Sequence, residues 1–180
     1  AGASCMLPGP ANDLAFHASV VRVGRNALAQ VPPSRWDFAA VANDFDATVA
    51  SRCRFAGFLV GAEGFDASCF FVSPAEAAAM DPQQRLLLER GYESLHRARL
   101  DRGSLGGSLT GVFLGIAGSD FGYLLGAAPA GSSVYAATGS SLSIACGRVS
   151  YVLGLHGPCV SYDTACSSAL TTCHASMRAL

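Results

Sequence analysis

Cys159-Val160-Ser161-Tyr162-Asp163-Thr164-Ala165-Cys166-Ser167-Ser168-Ala169-Leu170 is the stretch whose local pattern decides the architecture. Residues 159–162 read as a strand, and residues 167–180 read as a helix with Leu170, Cys173 and Met177 inward at i, i+3 and i+7. Cys166 falls at the junction between them. Upstream, Val112-Phe113-Leu114-Gly115-Ile116 reads as a buried strand, followed by a glycine-serine-aspartate loop over 117–122. A helix from about Ser141 to Leu153, with Leu142, Ile144, Ala145 and Val149 inward, precedes the second strand, and Gly154 and Gly157 end it. Strands alternating with helices indicate an α/β architecture.

Earlier in the chain, Ser73-Pro74-Ala75-Glu76 reads as a helix start, with a serine cap, a proline at the first helical position and a glutamate closing a capping box. Asp81-Pro82 repeats that logic, and Met80, Leu87, Leu88, Tyr92 and Leu95 follow at helical spacing. Gly91 in this helix suggests that another backbone packs closely there, since glycine costs about 1 kcal/mol relative to alanine in a helix interior. Residues 31–34 and 41–54 read as loop or irregular connection. The pattern suggests one domain without a linker.

Composition narrows the chemistry. The chain has 180 residues, 51% hydrophobic and 14% charged, which suits a globular unit with a sizeable core. All 12 basic residues are arginine, so a phosphate-loop lysine, a Schiff-base lysine and a lysine general base are excluded for this segment. Net charge is −1 and the arginines are scattered, against the basic stripe a nucleic-acid binder needs. No run of about 18 apolar residues is present, so no membrane span and a soluble protein are expected. The 7 cysteines are odd in number and form no Cys-x-x-Cys pair, so neither a metal site nor disulfides are expected. Residues 1–10 lack the pattern of a secretory leader, which points to a reducing, cytoplasmic setting with free thiols.

A thiol at the 162–168 junction sits over free backbone N–H groups and the positive end of a helix dipole, which favours the nucleophilic thiolate. The same turn offers the Cys166 backbone N–H to an oxyanion formed on an attacked thioester. Spacing alone leaves two readings open, since cysteine is among the most buried residue types and is often an inert small hydrophobe. Cys5, Cys53, Cys69, Cys146, Cys159 and Cys173 take that second reading. Asp163 is read as orienting the turn, and the 115–122 segment as a tight turn without phosphate-loop spacing.

Asp163-Thr164-Ala165-Cys166-Ser167-Ser168 resembles the active-site motif of polyketide ketosynthases, in which the cysteine accepts an acyl group from a carrier protein. Further blocks match that family in the same order. They are Phe65-Asp66-Ala67-Ser68-Cys69-Phe70-Phe71 with Ser73-Pro74-Ala75-Glu76, Met80-Asp81-Pro82-Gln83-Gln84-Arg85, Thr110-Gly111-Val112-Phe113-Leu114-Gly115, and Ala137-Thr138-Gly139-Ser140 through Gly147-Arg148-Val149-Ser150-Tyr151. Gly2-Ala3-Ser4-Cys5 with Pro8-Gly9, and Pro33-Ser34-Arg35-Trp36-Asp37, are looser matches.

The resemblance implies a thiolase-like layered αβαβα fold, of which residues 1–180 would be the N-terminal half of one β-ketoacyl synthase domain, the C-terminal half being absent. It implies Cys166 as nucleophile, acyl and malonyl-type thioesters as substrates, an acyl carrier protein as partner, and a homodimer in the complete domain. No directly bound cofactor is implied beyond the phosphopantetheine of the carrier, no metal, and no particular substrate-binding residue. Two histidines of the family's second half support decarboxylation and hold the oxyanion. None of His17, His96, His156 or His174 matches them. His174 lies eight residues, or about 12 Å along a helix, beyond Cys166 and is read as structural, as is His156 in its glycine-rich turn. Cys159 and Ala169 depart from the family's frequent serines, and residues 38–54 are shorter than usual. Cysteine rather than glutamine at 166 favours condensation over decarboxylation alone. A fatty-acid-type ketosynthase, and a non-catalytic half domain serving dimerisation or scaffolding, are the competing assignments. Half of a two-half core would leave an apolar face exposed and aggregation-prone.

Overall fold

The computed structural model describes residues 1–9 and 13–180, so Pro10, at the end of the 1–10 stretch without a leader pattern, lies outside the described residues. The chain divides into two compact units, Ser4–Ala62 and Ala1–Ala3 with Glu63–Leu180.

The first of these holds α1 (Leu14–Arg22), β1 (Ala29–Gln30), α2 (Phe38–Val41), α3 (Ala47–Cys53) and β2 (Phe55–Ala56). β1 and β2 pair antiparallel, with Ala29 opposite Ala56. Helix α3 and a 3₁₀ turn at Ala42–Asp44 occupy the 41–54 stretch expected to be irregular. The Asp46 side chain accepts the Thr48 and Val49 N–H groups at 2.9 and 3.0 Å and so starts α3. No residue of α3 is buried, so it carries none of the apolar periodicity that announces a helix.

The second unit carries α4 (Pro74–Ala79), α5 (Pro82–Arg97), α6 (Arg102–Leu105), β3 (Val112–Gly115), α7 (Phe121–Gly126), α8 (Ala136–Ser140), α9 (Leu142–Leu153), β4 (Cys159–Tyr162) and α10 (Ser168–Arg178). Ser73 caps α4 through the Glu76 N–H at 3.2 Å. The expected capping box does not close, because the Glu76 carboxylate turns to the Arg148 guanidinium instead. Asp81 caps α5 by accepting the Gln83 N–H at 2.7 Å. Phe70, Val72, Met80 and Leu88 form one core cluster, with Phe65, Tyr92 and Val149 packed against it. Leu105, Leu153 and Leu155 form a second, which Tyr92 and Val149 also join. Burying a side chain such as Leu88 contributes about 1.5–3 kcal/mol.

At Gly91 the close backbone neighbour expected from the sequence is not there: a Cβ would meet nothing within 4 Å. Several other glycines do meet backbone closely, and one of them, Gly115, lies on β3 beside the start of α10. β3 and β4 run parallel, Val112 beside Cys159 and Gly115 beside Tyr162. α9 packs on both strands and Ser161 Oγ donates to Leu142 O at 3.2 Å, so Ser161, Leu114, Cys159 and Val112 share the face toward α9. Gly115 points the other way, toward α10. β3 is only half-buried, with Gly115 exposed, rather than fully buried, because the sheet has two strands.

α10 is rotated relative to the expectation. Leu170 is 77% and Met177 74% exposed, and Cys173 is exposed too. Ser168, Thr171, Thr172, Ala175 and Ser176 are its covered residues, an i, i+3, i+4, i+7, i+8 stripe. Small and hydroxyl side chains there let the helix approach β3 more closely than leucine and methionine would.

Candidate active site

The turn between β4 and α10 is built from its own polar side chains. The Asp163 carboxylate accepts the Ala165 N–H at 3.1 Å, an Asx turn that bends the chain out of the strand. Ser168 Oγ accepts the Thr164 N–H at 2.9 Å and donates to Ala165 O at 2.8 Å. Ser167 Oγ donates to Thr164 O at 2.8 Å. These bonds hold Ala165 at φ 53°, a left-handed conformation that costs a non-glycine residue about 1–2 kcal/mol. Strain at the residue before Cys166 is therefore maintained by its neighbours.

Cys166 is the middle residue of a 3₁₀ turn, Ala165–Ser167, that leads directly into α10, and its thiol is exposed. The helical hydrogen bonding of this stretch begins with the Ser167 N–H on Thr164 O at 3.2 Å, which leaves the Cys166 N–H ahead of the first bond. An accessible thiol and an amide without a helical acceptor thus meet at the N-terminus of an 11-residue helix.

β3 sets the position of this turn. A Cβ on Gly115 would stand 2.9 Å from the Ser168 carbonyl carbon and 3.1 Å from the Ala169 nitrogen, both backbone atoms. Only glycine lets the strand end lie so close to the start of α10. Gly115→Val in the complete domain is expected to lower stability by about 1–3 kcal/mol through overpacking. Displacing the turn by a fraction of an ångström should slow acyl transfer, by up to about 100-fold for a full 1 Å shift. Thermal unfolding and single-turnover acylation check this; a wild-type rate would contradict the contact.

Because the strands are parallel, the loop after β3 leaves the sheet at the edge where Cys166 lies, and Ile116 N–H bonds Tyr162 O at 3.0 Å. Gln83 Nε2 donates to Gly118 O at 2.9 Å, and Ser119 Oγ to the buried Asp81 carboxylate, so the start of α5 holds this loop.

Residues 1–180 match the family described as Beta-ketoacyl synthase, N-terminal domain. The chain belongs to the β-ketoacyl synthase family. It is 46% identical over 180 residues to the erythronolide synthase of Saccharopolyspora erythraea, 98% of this chain and 5% of that protein. With the mycoketide-CoA synthase of Mycobacterium tuberculosis it shares 44% identity over 99% of this chain and 4% of that one. Among solved structures, the module 6 ketosynthase of the bacillaene synthase from Bacillus subtilis 168 superposes with TM-score 0.85 at 34% identity, over 99% of this chain and 29% of that one. The oxazolomycin ketosynthase domain from Streptomyces albus gives TM-score 0.83 at 34% identity, over 99% and 31%. This ketosynthase segment therefore has the thiolase-like α/β fold, and it spans under a third of those solved chains and only a small part of the two synthases.

His156 is exposed in the turn before β4, its N–H on Ser108 O at 2.8 Å, and His174 is exposed on α10 two turns past Cys166. Among the described residues, no group of three or more His, Cys, Asp or Glu is placed to hold a metal ion. No helix among them is long and apolar enough to cross a membrane.

Sequence reasoning missed a polar group that ties the helices together. Gln84, 1% exposed, donates from Nε2 to Thr138 O at 3.2 Å and Ser141 O at 3.0 Å. Its Oε1 accepts Arg148 Nε at 2.6 Å, and Arg148 also pairs with Glu76. The available signal was Gln84 itself, a polar residue four before Leu88 on the buried stripe of α5.

Proposed function

We propose that this segment is the nucleophile-bearing half of a polyketide synthase condensing domain, and that Cys166 carries the acyl chain. The single observation behind the reading is the exposed Cys166 thiol on a strained turn at a helix N-terminus, inside the matched ketosynthase segment. Cys166 Sγ attacks the thioester carbonyl of an acyl group borne on an acyl carrier protein's phosphopantetheine. The tetrahedral oxyanion collapses, the carrier thiol leaves with the proton, and an acyl-enzyme remains. The Cys166 N–H would donate to that oxyanion. A malonyl-type extender on a carrier then loses carbon dioxide, and its carbanion attacks the Cys166 thioester, forming the carbon–carbon bond and releasing the thiol. Histidines from the rest of the domain would serve that second step. The complete domain would act as an acyltransferase and, as in the family resemblance, as a homodimer. Residues 1–180 alone would lack activity.

A polyketide role is favoured over a fatty-acid role because proteins named as polyketide synthases are among the relatives of this chain. Elongation assays on the full-length protein test the reading. Carrier-bound acyl starters with a malonyl-type extender should yield β-ketoacyl products by mass spectrometry. Uptake of acyl groups without elongation of any polyketide-type starter would contradict it.

A further inference from the structure

Outside the Cys166 turn, two thiols meet across the α9–β4 contact. All seven cysteines are free; Cys146 is buried on α9, and Cys159, exposed, opens β4. Their meeting follows from register. Ser161 Oγ on Leu142 O fixes α9 against β4 at one point. As the helix that returns the chain between two parallel strands, α9 runs opposite to β4. Four residues along α9 from Leu142 to Cys146 advance about 6 Å. Two residues back along β4 from Ser161 to Cys159 advance about 6.6 Å on the same face. The two cysteines therefore come level on the facing sides of α9 and β4, and the Cys146 thiol donates to Ser143 O at 3.6 Å. Burial pushes the Cys159 thiol up; the Ser150 hydroxyl opposes that shift and the Cys146 thiol adds to it.

We propose that Cys146 and Cys159 form a redox modification site, a dithiol that a hydroperoxide converts to a disulfide joining α9 to β4. Cys159 reacts first because it is the exposed member of the pair, through the minor thiolate fraction that its upward shift leaves. Its thiolate attacks one peroxide oxygen, the O–O bond breaks, and a sulfenic acid and hydroxide form. The Cys146 sulfur then attacks the sulfenic sulfur, the S–O bond breaks, and water leaves with the Cys146 proton. Two thiols are oxidised and one peroxide is reduced. The staple fixes the strand that runs into the Cys166 turn, and a thiol reductant restores the resting pair.

The test is peroxide treatment of the full-length protein, alkylation of remaining thiols, digestion without reductant and mass spectrometry. The expected product is a peptide pair linked through Cys146 and Cys159, reversed by dithiothreitol and at least ~10-fold more abundant than from urea-unfolded chain, because folding holds the thiols together. Cys159→Ser should abolish the link, and Cys146→Ala should leave a Cys159 sulfenic acid that dimedone traps. Equal linkage in the unfolded chain would overturn the proposal. So would links scattered over other cysteines, or oxidation of Cys159 while Cys146 stays open to alkylation after denaturation.

Discussion

Cys166→Ala in the complete domain is expected to abolish covalent acylation while changing stability by no more than about 0.5 kcal/mol, as befits a substitution at an exposed position. The two halves of that expectation come from different features. Loss of acylation follows because no other side chain in the turn offers a sulfur: Ser167 and Ser168 spend their hydroxyls on Thr164 and Ala165 carbonyls. Retention of the fold follows because the hydrogen bonds that shape the turn run through Asp163, Thr164, Ser167 and Ser168, none through the thiol. Acyl transfer from a carrier thioester, measured beside urea unfolding, separates the two. Retained acylation would refute the assignment.

The largest stability effect is expected at Arg148. Arg148 is 9% exposed, and its guanidinium joins Glu76 on α4 to Gln84 on α5, which in turn holds the Thr138 and Ser141 carbonyls. Arg148→Ala leaves Gln84 Oε1 buried without its donor and Glu76 without its cation. Breaking such a pair costs about 3–5 kcal/mol, and the low end applies because Glu76 is a quarter exposed and can recover water. Arg148→Met combined with Glu76→Gln should cost less than Arg148→Ala alone, since no unpaired charge remains. Denaturant unfolding of the complete domain measures both, and a loss below about 1 kcal/mol for Arg148→Ala would contradict a role for this network in stability.

The parts legible in the sequence are those whose signals are local. Cys159–Tyr162 forms β4 and Pro82–Arg97 forms α5 as their patterns predict, and the capped amphipathic stretch of α5 buries Gln84 and Leu88. The site is legible for the same reason: Asp163 to Ser168 shape one turn through bonds within six residues. Elements whose form depends on neighbours were harder to read. The Leu170, Cys173 and Met177 stripe looks like a core face, yet α10 lays its Ser168, Thr171 and Ala175 side against β3, since Gly115 admits only a close helix. Glu76 carries the signature of a capping box, yet a cation 72 residues away outcompetes a backbone N–H for it. The Cys146–Cys159 pairing appears only once helix and strand are set in register.

The most direct measurement is the location of the acyl group. The complete domain, incubated with a carrier-bound acyl thioester, digested and sequenced by tandem mass spectrometry, should carry one acyl modification, on Cys166. The thiols of Cys53, Cys159 and Cys173 are exposed as well, so they serve as internal controls for mere accessibility. An acyl group spread evenly over those cysteines, or absent from Cys166, would contradict the account.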